Sequence, residues 1–339
     1  MSQKIIVTGG AGYIGTHTTV ALQNAGFDVV VFDNLSNSSA DSLDGVARIT
    51  GLRPEFINVD CADAGALRNA FVRHSDAVGV IHFAALKAVG ESVEKPLMYF
   101  RNNLNGLINV LDMMCEFNIP NIVFSSSATV YGVPEKLPVT EETPLQPATS
   151  PYGATKVMGE NIIRDTVLAF PQIRATLLRY FNPIGAHPSG LIGELPNGVP
   201  NNLMPYITQT AAGVREVLSV FGDDYDTPDG YCVRDYIDVN DLARAHVAAL
   251  QHMLKGAAGV GVFNLGTGRG VSVMELVRGF ESATGVAVPY KIAPRRAGDV
   301  PAIWADASLA ERVLGWRADT PLTDTLASAW RWQKNQEKK

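Results

Sequence analysis

A chain of 339 residues can bury a full core without disulfide or metal staples, as one large domain or two closely joined ones. Its 46% hydrophobic and 18% charged residues, with a formal net charge of -6 and no basic block, are those of an ordinary globular protein and argue against a nucleic-acid partner held by phosphate neutralisation. No apolar run approaches bilayer length, no leader precedes "KIIVTGG", and Cys61, Cys115 and Cys232 lack metal-ligand spacing; the expectation is a cytoplasmic protein with reduced cysteines, no membrane partner and no metal.

In chain order, short runs rich in β-branched residues alternate with helical patterns, the signature of repeated βαβ units around a parallel sheet. Strands are expected near Ile5 to Thr8, Val29 to Phe32, Phe56 to Val59, Val78 to His82, Ile122 to Ser125 and Ala175 to Arg179. One long helix should run from Pro96, a residue suited to a first turn, to Asn118 before Pro120. A second should span Pro151 to Ala169, before Pro171. The fold class is therefore α/β, a doubly wound parallel sheet of Rossmann type in residues 1–182. Past Asn182 the texture turns to Gly, Pro and Asn rich loops, predicting a smaller, mixed substrate-binding region over 183–339, with part of the chain near 233–250 returning to the main sheet.

The stretch "TGGAGYIG" at 8–15 follows the first strand directly and satisfies G-x-G-x-x-G from Gly10 through Gly12 to Gly15, and G-x-x-G-x-x-G from Gly9. Glycines are needed there because the chain turns tightly, approaches a pyrophosphate and packs its following helix closely on the sheet. The motif alone is weak. A strand before it, a helix after it and Asp33 closing the second strand make it specific. Asp33 would accept from the adenosine ribose hydroxyls and repel a 2′-phosphate, and no basic residue follows until Arg48, so the cofactor expected is NAD rather than NADP. A second cluster, "NLGTGRGVSV" at 264–273, has no acidic residue at the right distance and reads as a structural turn.

In "SPYGATK", Tyr152 stands four residues before Lys156. With this composition about 0.3 such pairs arise by chance, so the spacing alone says little. On a helix, i and i+4 share a face, which sets an ammonium beside a phenol. A phenol with pKa about 10 is ionised in about one molecule in a thousand at pH 7, so a useful base needs roughly 3–4 kcal/mol of preferential phenolate stabilisation. Lys156 and a cationic nicotinamide supply charge of the right sign, burial acts against them, and the charges must win. Upstream, "FSSSATVYG" at 124–132 places three serines at the C-terminal end of the fifth strand, where open α/β sheets present ligand-facing residues.

Serine, tyrosine and lysine in this order after a dinucleotide loop resemble the extended short-chain dehydrogenase/reductases. Within them the chain is similar to the UDP-glucose 4-epimerase (UDP-galactose 4-epimerase) family from about Lys4 to Trp332, on "HFAALKAVGES", "FSSSATVYG", "SPYGATK", "LRYFNPIGAHPSG", "NNLMPYI", "VRDYIDVNDLA" and "APRRAGDVPAIWAD". The resemblance implies that Ser127 and Tyr152 contact a sugar 4-hydroxyl and that Lys156 holds the nicotinamide ribose and tunes Tyr152. It assigns Gly9, Gly12, Tyr13, Ile14 and Gly15 to the cofactor, with Asp33, Asn34, Ser36, Asn37 and Ser38 along its ribose. Asp60 and Cys61 would lie near the adenine, Phe83, Ala84, Lys87, Asn102 and Ser125 along the cofactor, and Tyr180 near the nicotinamide.

On the substrate side it implies Phe181, Asn182, Asn202 and Leu203 at the sugar and diphosphate, Val220, Phe221 and Tyr236 at the uridine, and Asp299 at its ribose. Arg234 and Arg296 suit the diphosphate by charge-assisted hydrogen bonding. In this family a tyrosine at the position of Ile303 restricts the sugar pocket and a cysteine admits N-acetylated sugars; isoleucine lies between them in bulk, leaving a side activity on UDP-N-acetyl-hexosamines open. The implied reaction is reversible epimerisation of UDP-galactose and UDP-glucose at C4 through a 4-keto intermediate, by a homodimer paired through its two long helices. The rival 4,6-dehydratases carry an Asp-Glu pair where this chain has "SSSATVYG", and a non-catalytic NAD-binding sensor would have lost Ser127, Tyr152 and Lys156.

Overall fold

The computed structural model describes residues 2–198, 200, 202–296 and 299–336. The first part of the chain runs β1 (Lys4–Thr8), α1 (Tyr13–Asn24), β2 (Asp28–Asp33), α2 (Ser42–Thr50), β3 (Glu55–Asn58), α3 (Ala64–Arg73), β4 (Gly79–His82), α4 (Val89–Glu94), α5 (Pro96–Glu116), β5 (Asn121–Ser127), α6 (Pro151–Ala169) and β6 (Arg174–Tyr180). It continues with β7 (Asn182–Ile184), α7 (Leu203–Ala211), β8 (Leu218–Phe221), β9 (Val233–Arg234), β10 (Tyr236–Asp238), α8 (Val239–Leu254), β11 (Val260–Leu265), β12 (Val271–Ser272), α9 (Val273–Thr284), β13 (Tyr290–Ala293), β14 (Ala302–Ile303), α10 (Ser308–Leu314) and α11 (Leu322–Gln336).

The strands of the first part read as unbroken apolar runs because both faces of their sheet are covered. Along β1, Ile6 enters one core with Val30, Val80, Ile122 and Leu177, under Leu107, Val110 and Ile163 of α5 and α6. Its neighbours Ile5 and Val7 point the other way, to a second core with Val29, Val31, Ile81 and Leu178 beneath Leu22 of α1 and Leu242 and Leu250 of α8. The two-residue period is thus present, with each half apolar. Among the described residues the strands form a seven-stranded sheet in the order β11-β6-β5-β4-β1-β2-β3, and every pairing in it is parallel. The order reverses between β1 and β4. An open sheet of this kind offers its ligand crevice there, beyond the carboxyl ends of the strands.

The segment that returns to the sheet is α8, which packs beside α1, followed by β11, whose Val260 to Leu265 pair with Ala175 to Tyr180 of β6. Residues 233–238 do not join it: β9 pairs with β12 and β14 in a three-stranded sheet, and β10 pairs with β7. The remaining small sheet is β8 with β13. These short strands rest on a third core in which Ile184, Leu218 and Tyr236 meet Phe280 of α9 and Leu326 of α11.

Candidate functional site

At the turn after β1, Gly9 has φ +69°, and a Cβ there would stand 2.7 Å from the backbone nitrogen of Ala84. A Cβ at Gly15 would stand 2.4 Å from the Gly9 carbonyl oxygen. Only hydrogen fits at either position, so the loop is a cradle of bare backbone. Gly12 is the N-cap of α1, which therefore has no side-chain cap, and there is no acidic residue in its first turn. Its amides and dipole are therefore left facing the crevice, which suits a pyrophosphate. The Tyr13 hydroxyl donates to the Gly185 carbonyl at 2.7 Å, tying the loop to β7, and Ile14 packs into the second core.

At the end of β2, Asp33 is 8% exposed. Its carboxylate accepts from Ala11 N (3.0 Å), Leu35 N (2.9 Å) and the Ser38 hydroxyl (2.8 Å). Asn34 donates to Asp60 at 3.0 Å, and Asn34, Ser36 and Asn37 are exposed along the same lip. Cys61 is buried beside it, its thiol pushed up to about 12 by that burial and by the charges of Asp60 and Asp33. Phe83 and Ala84 follow β4, with Asn102 half-buried on α5. A glycine cradle, an uncapped helix start and a fixed carboxylate fit a dinucleotide that carries free ribose hydroxyls.

The first residues of "SPYGATK" start a helix. The Ser150 hydroxyl caps α6 by accepting from Gly153 N at 3.1 Å, and Pro151 takes the first turn. Tyr152 and Lys156 are thereby placed one turn apart, above the end of β5. Lys156, 4% exposed, donates to the Ser125 carbonyl at 2.6 Å. Its Nζ lies 5.0 Å from the Phe124 ring centre and 5.7 Å from that of Tyr152. Burial lowers the ammonium to about 8 against the opposing pull of Glu160. The Ser127 hydroxyl accepts from Thr129 N at 3.2 Å and opens a 3-10 turn over Ala128–Tyr131, and the Ser125 and Tyr180 hydroxyls are hydrogen-bonded.

Of the opposing effects weighed for the Tyr152 phenol, the protein by itself supplies mainly one. Burial raises it to about 12, and only the Ser127 hydroxyl opposes this. Within the protein alone, burial outweighs charge, because the Lys156 ammonium is directed to the Ser125 carbonyl and sits over the ring of the tyrosine rather than on its oxygen.

Across the crevice, Arg296 donates to Asp299 at 2.8 Å, Arg234 lies 3.8 Å from the same carboxylate, and the Arg296 guanidinium is 5.9 Å from the Phe221 ring centre. Asp299 therefore gathers the two arginines that the sequence reading set against a diphosphate. Ile303 is opposite Arg234 in the β14/β9 pairing and joins Phe181, Ala128, Val130 and Val139 in one apolar wall. Asn182 is opposite Tyr236 in the β7/β10 pairing. The side chain of Val220 enters the third core, and Leu203 packs against that core from the start of α7.

Three features escaped sequence reading. Glu194 accepts from Lys87 (3.1 Å) and Asn202 (2.6 Å), joining a cofactor-side and a substrate-side residue. Asp235 accepts from Thr267 N (2.8 Å), Gly268 N (3.2 Å) and Ala305 N (3.2 Å). That carboxylate occupies the anion-binding amides of the second glycine loop, which is accordingly a structural turn. Glu160 anchors the end of β5. The one signal for Glu160 and Asp235 was their place inside "SPYGATK" plus one turn and "VRDYIDVNDLA"; each partner is distant in sequence.

The chain matches the NAD dependent epimerase/dehydratase family over residues 5–266. It is 54% identical to the UDP-glucose 4-epimerase of Bacillus subtilis (strain 168) over 331 residues, 98% of this chain and 97% of that one. It is 52% identical to the UDP-glucose 4-epimerase of Homo sapiens over 340 residues, again 98% and 97%. A crystal structure of UDP-glucose 4-epimerase from Bifidobacterium longum in complex with NAD+ and UDP superposes with a TM-score of 0.96 at 49% identity, covering 99% of each chain. A family match over residues 5–266, about half of all residues in common over nearly the whole length and a superposition covering 99% of each chain leave one conclusion: the chain belongs to the UDP-glucose 4-epimerase family of NAD-dependent epimerases.

Proposed function

We propose that this protein interconverts UDP-glucose and UDP-galactose by oxidising and re-reducing the sugar at C4 around one tightly held NAD. The observation that carries this reading is the placement of Tyr152 and Lys156 over Ser125 and Ser127 at the carboxyl end of β5, beside the glycine cradle. Tyr152 takes the proton of the 4-hydroxyl, Ser127 holds the same oxygen, and Lys156 supports the phenolate. Bound NAD supplies the hydride acceptor and donor and a positive charge near the phenol. Gly9, Gly12, Tyr13, Ile14 and Gly15 hold the pyrophosphate, and Asp33, Asn34, Ser36, Asn37 and Ser38 the adenosine ribose side. Asp60, Cys61, Phe83, Ala84, Lys87, Asn102, Ser125 and Tyr180 complete that cleft.

Arg234 and Arg296 clamp the UDP diphosphate, and Asp299 keeps them oriented until the ribose arrives. Phe181, Asn182, Asn202 and Leu203 surround the sugar, Val220, Phe221 and Tyr236 the uridine. Ile303, in the wall with Phe181 and Ala128, leaves room for some turnover of UDP-N-acetyl-hexosamines. Residues 1–182 with α8 and β11 carry the cofactor, and the rest of 183–339 carries UDP-sugar. We further propose a cytoplasmic homodimer serving galactose metabolism. Exposed Leu97, Met98 and Ile108 on α5 and Met158 and Leu168 on α6 support the pairing; three free cysteines suit a reducing compartment, and among the described residues no helix is long and apolar enough to cross a membrane.

The test is incubation with UDP-galactose without added NAD. Appearance of UDP-glucose is expected; a 4-keto-6-deoxy product, or no product at all, would overturn the reading.

A further inference from the structure

Two turns of α6 beyond Tyr152, on the stripe that also carries Lys156, Glu160 is 1% exposed. Its carboxylate accepts from the Ser126 hydroxyl at 2.6 Å, from Arg179 Nε at 2.8 Å and Nη2 at 2.6 Å, and from Arg164 at 3.2 Å. Ser126 lies between Ser125, whose carbonyl holds the Lys156 ammonium, and Ser127 beside the phenol. Arg179 continues the chain of contacts to the Tyr131 hydroxyl at 3.1 Å, which donates to Asn264 at 2.6 Å. Tyr131 in turn belongs to the apolar wall containing Ile303. One buried carboxylate thus fixes the catalytic helix, the catalytic strand end and the sugar-side wall in a single polar network.

We propose that Glu160 is a positioning residue of this site: it sets the Ser125–Ser127 strand end against α6 and acts as the buried counter-charge that keeps the Lys156 ammonium protonated beside Tyr152. This rests on the assignment of Lys156 as the cation that supports Tyr152. The other charged or titratable groups around Lys156 do not take this part. His82 on β4 is held neutral, at about 3, by burial and by Lys156 itself. Tyr180 on β6 is bound to Ser125 and raised by burial, and Tyr99 on α5 is bound to Glu91 of α4 and likewise raised. Arg179 on β6 is a cation that shares the Glu160 carboxylate and so offers Lys156 no counter-charge of its own. Glu160 alone among these opposes the burial of Lys156.

The experiment titrates Lys156 directly, by 13C NMR of lysine-labelled protein purified with its cofactor, with Lys156→Met supplying the assignment. In Glu160→Gln the midpoint should fall by about one pH unit, the low end for loss of a neighbouring opposite charge in a buried setting. Glu160→Asp, which keeps the charge, should stay near wild type. The alkaline limb of turnover should move with the NMR midpoint. An unchanged midpoint in Glu160→Gln, or equal shifts in Gln and Asp variants, would overturn the proposal and leave only a packing role. If Glu160→Gln does not fold, Glu160→Gln combined with Arg179→Met is read against Arg179→Met alone, so that the loss of the guanidinium cancels: a midpoint lower than in Arg179→Met supports the proposal and an equal one overturns it. A wild-type protein that fails to interconvert the UDP-sugars would refute the proposed reaction, while the NMR titration would still decide the part played by Glu160.

Discussion

Tyr152 and Lys156 are both driven toward their neutral forms by burial, the phenol up to about 12 and the ammonium down to about 8. The phenol is therefore protonated at neutral pH in the chain by itself, and in the proposed reaction its base form depends on charge arriving with the cofactor. Difference absorbance of the phenolate, read against Tyr152→Phe, should give a midpoint near 12 in cofactor-free protein and a clearly lower one with NAD+ bound; no movement would remove the tyrosine as base. Tyr152→Phe itself should lose roughly 10²- to 10⁴-fold in kcat, the usual contribution of a positioned proton-transfer group, with UDP-sugar binding retained by calorimetry. The sign for Lys156 follows from its lowered value: the ammonium is half lost at about pH 8 in the chain by itself and increasingly lost above it, so turnover should fall on the alkaline side. In the sequence the Tyr/Lys spacing was legible, and Ser127 beside it; the outcome of charge against burial was not, because it depends on where the Lys156 Nζ points.

At the scale of single elements, the turn from β1 into α1 was legible almost completely. Its glycines answer to steric limits set within a few residues, and Asp33 ends the neighbouring strand. A methyl group at position 15 would collide with the Gly9 carbonyl at 2.4 Å, so Gly15→Ala should weaken NAD retention by at least about tenfold, or about 1.4 kcal/mol. The measurement is NAD(H) released per chain on heating. For wild type the released dinucleotide should be NAD(H); recovery of mainly NADP(H) would refute the part given to Asp33. α6 begins and ends as read, at Pro151 and Ala169, because its cap and its closing proline are local. β11 was not read as a strand of the main sheet. Glycine turns bound its short run on both sides, at Gly256, Gly259 and Gly268, but they do not say which sheet it joins, and only pairing with β6 gives it a place.

For the whole molecule, two expectations concern surfaces and pockets. Ile108→Asp with Met158→Asp places charge on the exposed apolar faces of α5 and α6; sedimentation should show a dimer for wild type and a monomer for the pair, and a wild-type monomer would sink the homodimer. Turnover of UDP-N-acetylglucosamine at high enzyme concentration is expected from Ile303, and Ile303→Tyr should suppress it while sparing UDP-glucose. Composition, strand periodicity, the glycine loop and the helix caps were determined by the sequence itself, because each rests on interactions within a few residues or on a repeating pattern. Asp33 was legible beside that loop, but the carboxylates that tie distant segments together around the site were decided only by the tertiary structure. Asp235 fills the second glycine loop, Glu194 joins Lys87 to Asn202, and Glu160 reaches across from α6 to Ser126 and Arg179. A buried charge is defined by its partners, and in this fold those partners arrive from strands and loops that the chain brings together only by folding.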